Sequence, residues 1–211
     1  MEFDTGFRPS RNGFAFANAW RDLIFGVVAS RGRCGGMVFA ALDYYESGKP
    51  LPAAAMQKTL PPHGSVLARF IWRRQIASVM THGGDNLRRF AQYTYLPSGA
   101  AGGISEATLR DSLVLFDRLR AGSPVPLGLV SAIGLAHLPR NHQVLAYAAE
   151  FTDERVLVRV YDPNYPRRDD VTLDMPLKKG APLVEHIGVS IKVWRGMFVE
   201  RRSRQWGRLP A

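Results

Sequence analysis

Three residues of this chain could do chemistry together. They are Cys34 in RGRCGGM, His142 in NHQVLAYAAEF and Asp162 in VRVYDPNYP. Cys34 is the single cysteine. An apolar run follows it, with Met37, Ala40, Ala41, Tyr44 and Tyr45 at helical spacing, and SGKP (47–50) stops that run. Cys34 is therefore expected at a helix N-terminus. Unpaired backbone N–H groups and the positive end of the helix dipole there favour a thiolate, the nucleophilic form of cysteine. The Cys34 backbone N–H could also hold the oxyanion of an attacked carbonyl. Gly35 and Gly36 remove side-chain bulk where a substrate would approach, and Arg31 and Arg33 are expected to add positive charge. A buried, inert thiol is the commoner fate of an isolated cysteine. This stretch alone does not decide between the two.

A thiolate nucleophile needs a group that takes and returns a proton near neutral pH, which is histidine chemistry. Of the five histidines, His63 and His82 read as loop or helix-end residues, and His137 and His142 bracket a loop. His142 stands apart because it opens a strongly apolar strand, so its ring can sit at a sheet edge; His137 is the alternative. A third group must orient the imidazole. If 142–151 and 155–162 form an antiparallel hairpin, its open end sets His142 beside Asp162 as a cross-strand neighbour about 5 Å away. Asp162 also suits a plain turn, since DPN is good turn chemistry. Asn164 and Asp153 are weaker alternatives.

The elements that must position these groups change character halfway along the chain. The first half reads helical, with helices expected near 34–46, 64–82, 86–96 and 105–121, the last capped by Ser105. The second half reads as strands at 126–134, 142–151 and 155–162, then in DVTLDM and IKVWRGMFVE. That order implies an α+β fold with a helical part over about 1–122, a β-sheet part over about 123–200 and a basic tail at 201–211. The Gly/Ala-rich SGAAGGIS (98–105) reads as a loop between helices, and no linker divides the single domain expected over 1–211.

RGRCGGM, NHQVLAYAAEF and VRVYDPNYP, in that order, resemble the papain-like cysteine peptidase superfamily. The nearest likeness is to the bacteriocin-processing peptidases that cleave after a double-glycine leader. The resemblance covers roughly 30–46 and 141–166. It implies a papain-like fold with the nucleophile's helix packed on an antiparallel sheet. It implies Cys34 as nucleophile, His142 as general base and then acid, and Asp162 as the orienting acid. Those peptidases carry a glutamine several residues before the cysteine as an oxyanion donor. Here Val28, Ala29, Ser30 and Arg31 stand in that region, so Asn18 is the candidate donor beside the Cys34 N–H. Gln143 adjoins His142, but strand alternation should turn it to the other face. No transporter domain is seen, which counts against leader processing.

The remaining features narrow the function class. Among 211 residues, 46% are apolar and 22% charged, an ordinary globular composition. One cysteine forbids an internal disulfide and a cysteine-rich zinc site, and Asp85, Asp169 and Asp170 combine with no histidine at a recognisable metal-ligand spacing. No cofactor or metal is expected. The segment MEFDTGFRPSRNG lacks an apolar signal core and no apolar run could span a membrane, so a cytoplasmic protein is expected, with signal-less export left open. The net charge of +10 raises the question of an anionic partner. No helix-turn-helix, zinc-finger or aromatic RNA-binding motif accompanies it, so a peptide or protein substrate ranks ahead of nucleic acid. Trp72, Trp194 and Trp206 read as packing or surface aromatics, and Asp43 as a polar helix position. The expected activity is attack of a thiolate on an amide or ester carbonyl, with peptidases foremost among amidases, deamidases and acyltransferases. A catalytically inactive binding module on the same fold is the alternative.

Overall fold

The computed structural model describes residues 1–24, 28–98, 102–153, 155–176, 178–202 and 209–211. From the N-terminus the chain runs β1 (Glu2–Asp4), α1 (Pro9–Asn12), β2 (Arg21–Ile24), β3 (Val28–Arg31), α2 (Cys34–Glu46), α3 (Val66–Tyr95) and α4 (Ile104–Arg120). The strands β4 (Val125–Val130), β5 (His142–Phe151), β6 (Val156–Tyr161), β7 (Thr172–Met175), β8 (Leu183–Ile187), β9 (Ser190–Trp194) and β10 (Gly196–Val199) follow. They pair antiparallel in the order β10-β4-β5-β6-β7-β8-β9, and β1 joins β5 at its far end. The sheet curls into a half-barrel, and the whole is 39% helical and 24% strand.

Strand alternation divides the core across β5. Leu145 and Tyr147 point to the helical side, where they meet Phe39 of α2, Phe70 of α3 and Trp20. Val144 and Ala146 point into the curl with Leu127, Val158, Val160 and Trp194. Any element packed against the start of β5 therefore meets one of two faces. Over 142–147 the even positions look into the curl and the odd positions toward α2 and α3; the register shift after Ala146 then swaps the faces, with Ala148 on the helical side and Ala149 in the curl.

The sequence pattern departs from this architecture in several places. The first half is not wholly helical: β1 adds to the main sheet, and β2 and β3 form a separate hairpin with Asp22 opposite Ser30. The strand expected over 126–134 ends at Val130. The helices expected over 64–82 and 86–96 are there as the two segments of α3, separated by the non-helical backbone of Thr81–Gly84, where His82 has φ 52°. Gly83 and Gly84 take positive φ there at no steric cost, so the pair ends the first segment, as expected, and turns the chain into the second. Ser105 is not the cap of α4: Gly103 is, and the Ser105 hydroxyl accepts from Gly180 N–H. IKVWRGMFVE splits into β9 and β10, and β8 carried no strong alternation signal. Residues 99–101 of the Gly/Ala-rich loop and 203–208 of the tail, Trp206 included, lie outside the described residues. The rest of the tail is not a free basic arm: Arg202 pairs with Asp43 and Glu46, and Leu209 is buried. Among the described residues no helix is long and apolar enough to cross a membrane.

The approach of α2 to α3 places the helix that Cys34 opens. Helix α2 is buried from Gly35 through Tyr44. A Cβ on Gly36 would lie 2.3 Å from the Ile71 carbonyl oxygen, a backbone atom that cannot step aside. Gly36→Ala is expected to force the two helices apart and to cost about 2 kcal/mol of stability, read by urea unfolding. A loss below about 0.5 kcal/mol would mean the contact is not tight.

Candidate active site

Cys34 is the first residue of α2 and is half-buried. Several contacts hold the loop before it. The Asn18 side-chain oxygen accepts from Arg33 N–H at 2.5 Å, and the Asn18 backbone N–H donates to the Pro163 oxygen at 3.0 Å. The Arg33 guanidinium is buried between the rings of Trp20 and Trp72, pairs with Asp22 at 2.7 Å and donates to the Ala68 oxygen. Arg33 is thus a neutralised anchor, not the free positive charge expected beside the thiol. The Arg31 side chain lies outside what the structure describes. At the helix start, Gly36 N–H donates to Gln75 Oε1 at 2.9 Å and Met37 N–H to the Arg33 oxygen. The N–H groups of Cys34 and Gly35 have no acceptor among the described residues, as the first turn of a helix leaves them.

His142 opens β5 opposite Leu129 of β4. Its Nε2 lies 2.7 Å from Asp162 Oδ1, and both side chains are buried. An imidazole has two ring nitrogens, so engaging Nε2 leaves Nδ1 for the Cys34 side. The pairing is diagonal rather than directly opposite. A register shift between Ala146 and Ala148 moves the hairpin so that Leu145 faces Tyr161. Carried past the end of β6, that register sets Asn164, not Asp162, across from His142. The turn after β6 then folds Asp162 inward, with Asn164 N–H donating to Asp162 Oδ1 at 2.7 Å and Tyr165 N–H to the Asp162 carbonyl. Asn164 Nδ2 also approaches His142 Nε2, at 3.1 Å.

Burial opposes the charged form of His142, but Asp162, and beyond it Cys34, outweigh that and hold the imidazole well above its ordinary range. Burial likewise pushes Asp162 up. The His142 charge and hydrogen bond, with the Asn164 N–H, overcome it and keep this carboxyl below the usual range. The geometry is that of a buried imidazole–carboxylate contact, with Cys34 near enough to favour the charged ring.

Two groups around this pair carried no signal in the sequence. Trp194 stacks over His142 with ring centroids 6.1 Å apart and planes 11° apart, so it is more than a packing aromatic. Its indole N–H donates to Glu185 Oε2 at 3.0 Å. Glu185 of β8 is fully buried, and burial together with the Asp162 charge pushes its carboxyl up to about 7. Both depend on strand pairings that no local pattern announces.

Gln143 is the other residue at the thiol. Alternation does turn it away from His142, but the face it meets is the one α2 packs on. Its Oε1 is placed 3.7 Å from Cys34 Sγ and its Nε2 2.7 Å from Glu200 Oε1. Asn18 adjoins the loop before Cys34 with both polar atoms engaged, its Nδ2 donating to Asn164 Oδ1 at 3.3 Å. The other candidates lie apart. His63 is mostly exposed beside Asp22 and Arg33, His137 is exposed in a short 3-10 turn, and Asp153 is exposed at the closed end of the hairpin. Among the described residues no three His, Cys, Asp or Glu side chains converge as metal ligands. A cavity of about 260 Å³ lined by Tyr44, Tyr45 and Lys49 opens at the opposite end of α2 from Cys34. The chain matches no family model, no curated protein and no solved structure.

Glu185 gives the site a pH signature. Its proton is held in the fold to about pH 7 but lost near the ordinary carboxylate value of about 4.3 when unfolded. The folded state then binds more protons than the unfolded one across that window, so this group's contribution to stability falls as pH rises through it. Glu185→Gln is expected to flatten the decline between about pH 5 and pH 7 in urea unfolding. An identical slope in wild type and variant would show that Glu185 ionises normally in the fold.

Proposed function

We propose that the protein is a thiol-dependent hydrolase or acyltransferase, with peptide or protein amides its foremost substrates. The observation that carries this reading is the 2.7 Å contact of His142 Nε2 with Asp162, which reserves Nδ1 for Cys34 at the N-terminus of α2. In the first step His142 takes the proton of Cys34, giving a thiolate beside an imidazolium. The sulfur attacks the substrate carbonyl carbon, and the developing oxyanion lies at the open N–H groups of Cys34 and Gly35. His142 gives its proton to the leaving amine or alkoxide as the tetrahedral species collapses to a thioester. It then takes a proton from water, or from another acceptor, which attacks the thioester and frees the thiol. Asp162 keeps the proton of Nε2 in place throughout and does not itself accept it.

One observation favours a second reading, a non-catalytic binding module on the same fold. Asn18, the candidate side-chain donor to the oxyanion, already has its oxygen on Arg33 N–H and its amide on Asn164. An anionic partner draws less support. Arg33, Arg74, Arg89 and Arg202 form ion pairs with Asp22, Asp43 and Asp111 within the fold, so their charge is spent internally.

An activated ester such as p-nitrophenyl acetate separates the two readings. A burst of nitrophenol with an acetyl group on Cys34, detected by mass spectrometry, is expected for the enzyme. Cys34→Ala should abolish both. Asp162→Asn should slow acylation by about 100-fold or more. Absence of any Cys34 adduct under saturating ester would leave only the binding module.

A further inference from the structure

The side of Cys34 away from His142 carries a second polar chain, and its chemistry bears on the thiolate if the thiol-enzyme reading above holds. Gln143 is buried, and so is Ser78 of α3, whose Oγ lies 3.4 Å from Gln143 Oε1. Glu200, just past β10, is fully buried, and its Oε2 has no hydrogen-bond partner among the described residues. The chain is brought this close by Gly35: a Cβ there would fall 2.1 Å from Gln143 Oε1 and 2.2 Å from Ser78 Oγ.

An amide's oxygen and nitrogen are told apart only by their partners. Ser78 has one hydroxyl proton, and it goes to the Gln75 carbonyl at 2.8 Å. Toward Gln143 the hydroxyl therefore presents lone pairs. A Cys34 thiolate also presents only lone pairs. Both neighbours on this side of the amide are acceptors, and only an NH₂ group, with two hydrogens, satisfies both. With the amide turned that way, its oxygen faces Glu200 Oε1 across 2.7 Å, and the carboxyl must donate. The unpartnered Oε2 is then a carbonyl oxygen. The reverse orientation would strand a buried charge or an O–H donor there, which is costlier to leave unmet.

We propose that Gln143 is the positioning residue of the Cys34 thiolate, its amide N–H turned to the sulfur by a neutral Glu200 carboxyl that donates to its oxygen. Burial supports this by pushing Glu200 up to about 8, against the pull of Arg89 and His142. The charged groups around Glu200 are Arg89 of α3 with its partner Asp111 of α4, His142 of β5, and Cys34 of α2 through the amide. Gln143 thereby supplies from β5 a donor near the sulfur, in a chain whose segment before the cysteine has no glutamine. Loss of the Glu200 proton would turn the amide oxygen toward the sulfur and withdraw that donor.

The test is the rate of Cys34 alkylation by iodoacetamide as a function of pH, in wild type, Gln143→Leu, Glu200→Leu, Glu200→Gln and His142→Ala. Gln143→Leu and Glu200→Leu are expected to slow labelling at about pH 6.5 by about tenfold and to move the profile to higher pH. Glu200→Gln, a neutral donor at every pH, should restore most of what Glu200→Leu loses. It should also erase the inflection expected near pH 8 in wild type. If His142→Ala moves the profile and the Gln143 and Glu200 variants do not, this inference falls and the thiol-enzyme reading stands. If His142→Ala also leaves it unmoved, the reading beneath falls as well. Should the leucine variants not fold, carbon NMR of the Glu200 carboxyl in wild type decides: a protonated group at about pH 6.5 is expected, and an ionised one overturns the proposal.

Discussion

The contact between His142 Nε2 and Asp162 Oδ1 is the constraint on which the rest of the site turns. It joins the start of β5 to the turn after β6, so it exists only if the hairpin pairs in one register. It fixes which imidazole nitrogen is free, and so from which side a thiol must come. It also sets a burial problem, because a carboxylate taken out of water must be matched by charge and hydrogen bonds. His142, the Asn164 N–H and the Trp194–Glu185 pair around it meet that demand.

The helical side answers the same constraint with close packing. Cys34 reaches the start of β5 because α2 lies flat on α3 and on the sheet, and Gly35 and Gly36 make that possible. Arg33 anchors the loop before Cys34 by pairing with Asp22 and sitting between two tryptophans. Asn18 then ties this loop to the Asp162 turn through Arg33 N–H, Pro163 and Asn164. Cys34 and His142 come from different halves of the chain, and these contacts hold them in one frame.

Much of this was legible in the sequence where the signal is local. The helix opening at Cys34 shows in its apolar spacing and in the SGKP stop. The strand carrying His142 and the turn after Tyr161 show in alternation and in DPN. What stayed hidden depends on tertiary pairing. The register of the hairpin cannot be read from composition: Phe151 faces Val156, and even after the one-residue shift at Ala146–Ala148 the register sets Asn164, not Asp162, across from His142. Alternation correctly turned Gln143 from His142, yet only the packing of α2 shows that this is the face the sulfur adjoins. Glu185 lies in LVEHI, and Trp194 opens toward it only once β8 and β9 curl the sheet. Arg33 looked like a cationic neighbour of the thiol because its partner Asp22 sits in a hairpin the sequence did not announce.

The claim at the centre is that His142 and Cys34 form one titrating unit held by Asp162. Nitrogen NMR of the His142 ring, titrated before and after alkylation of Cys34, tests it most directly. The expected result is a ring charged well above its ordinary range, with Nε2 protonated toward Asp162, whose titration drops to lower pH once the sulfur is capped. A ring that titrates at the ordinary histidine value and ignores alkylation would mean that Cys34 and His142 are neighbours without chemistry in common.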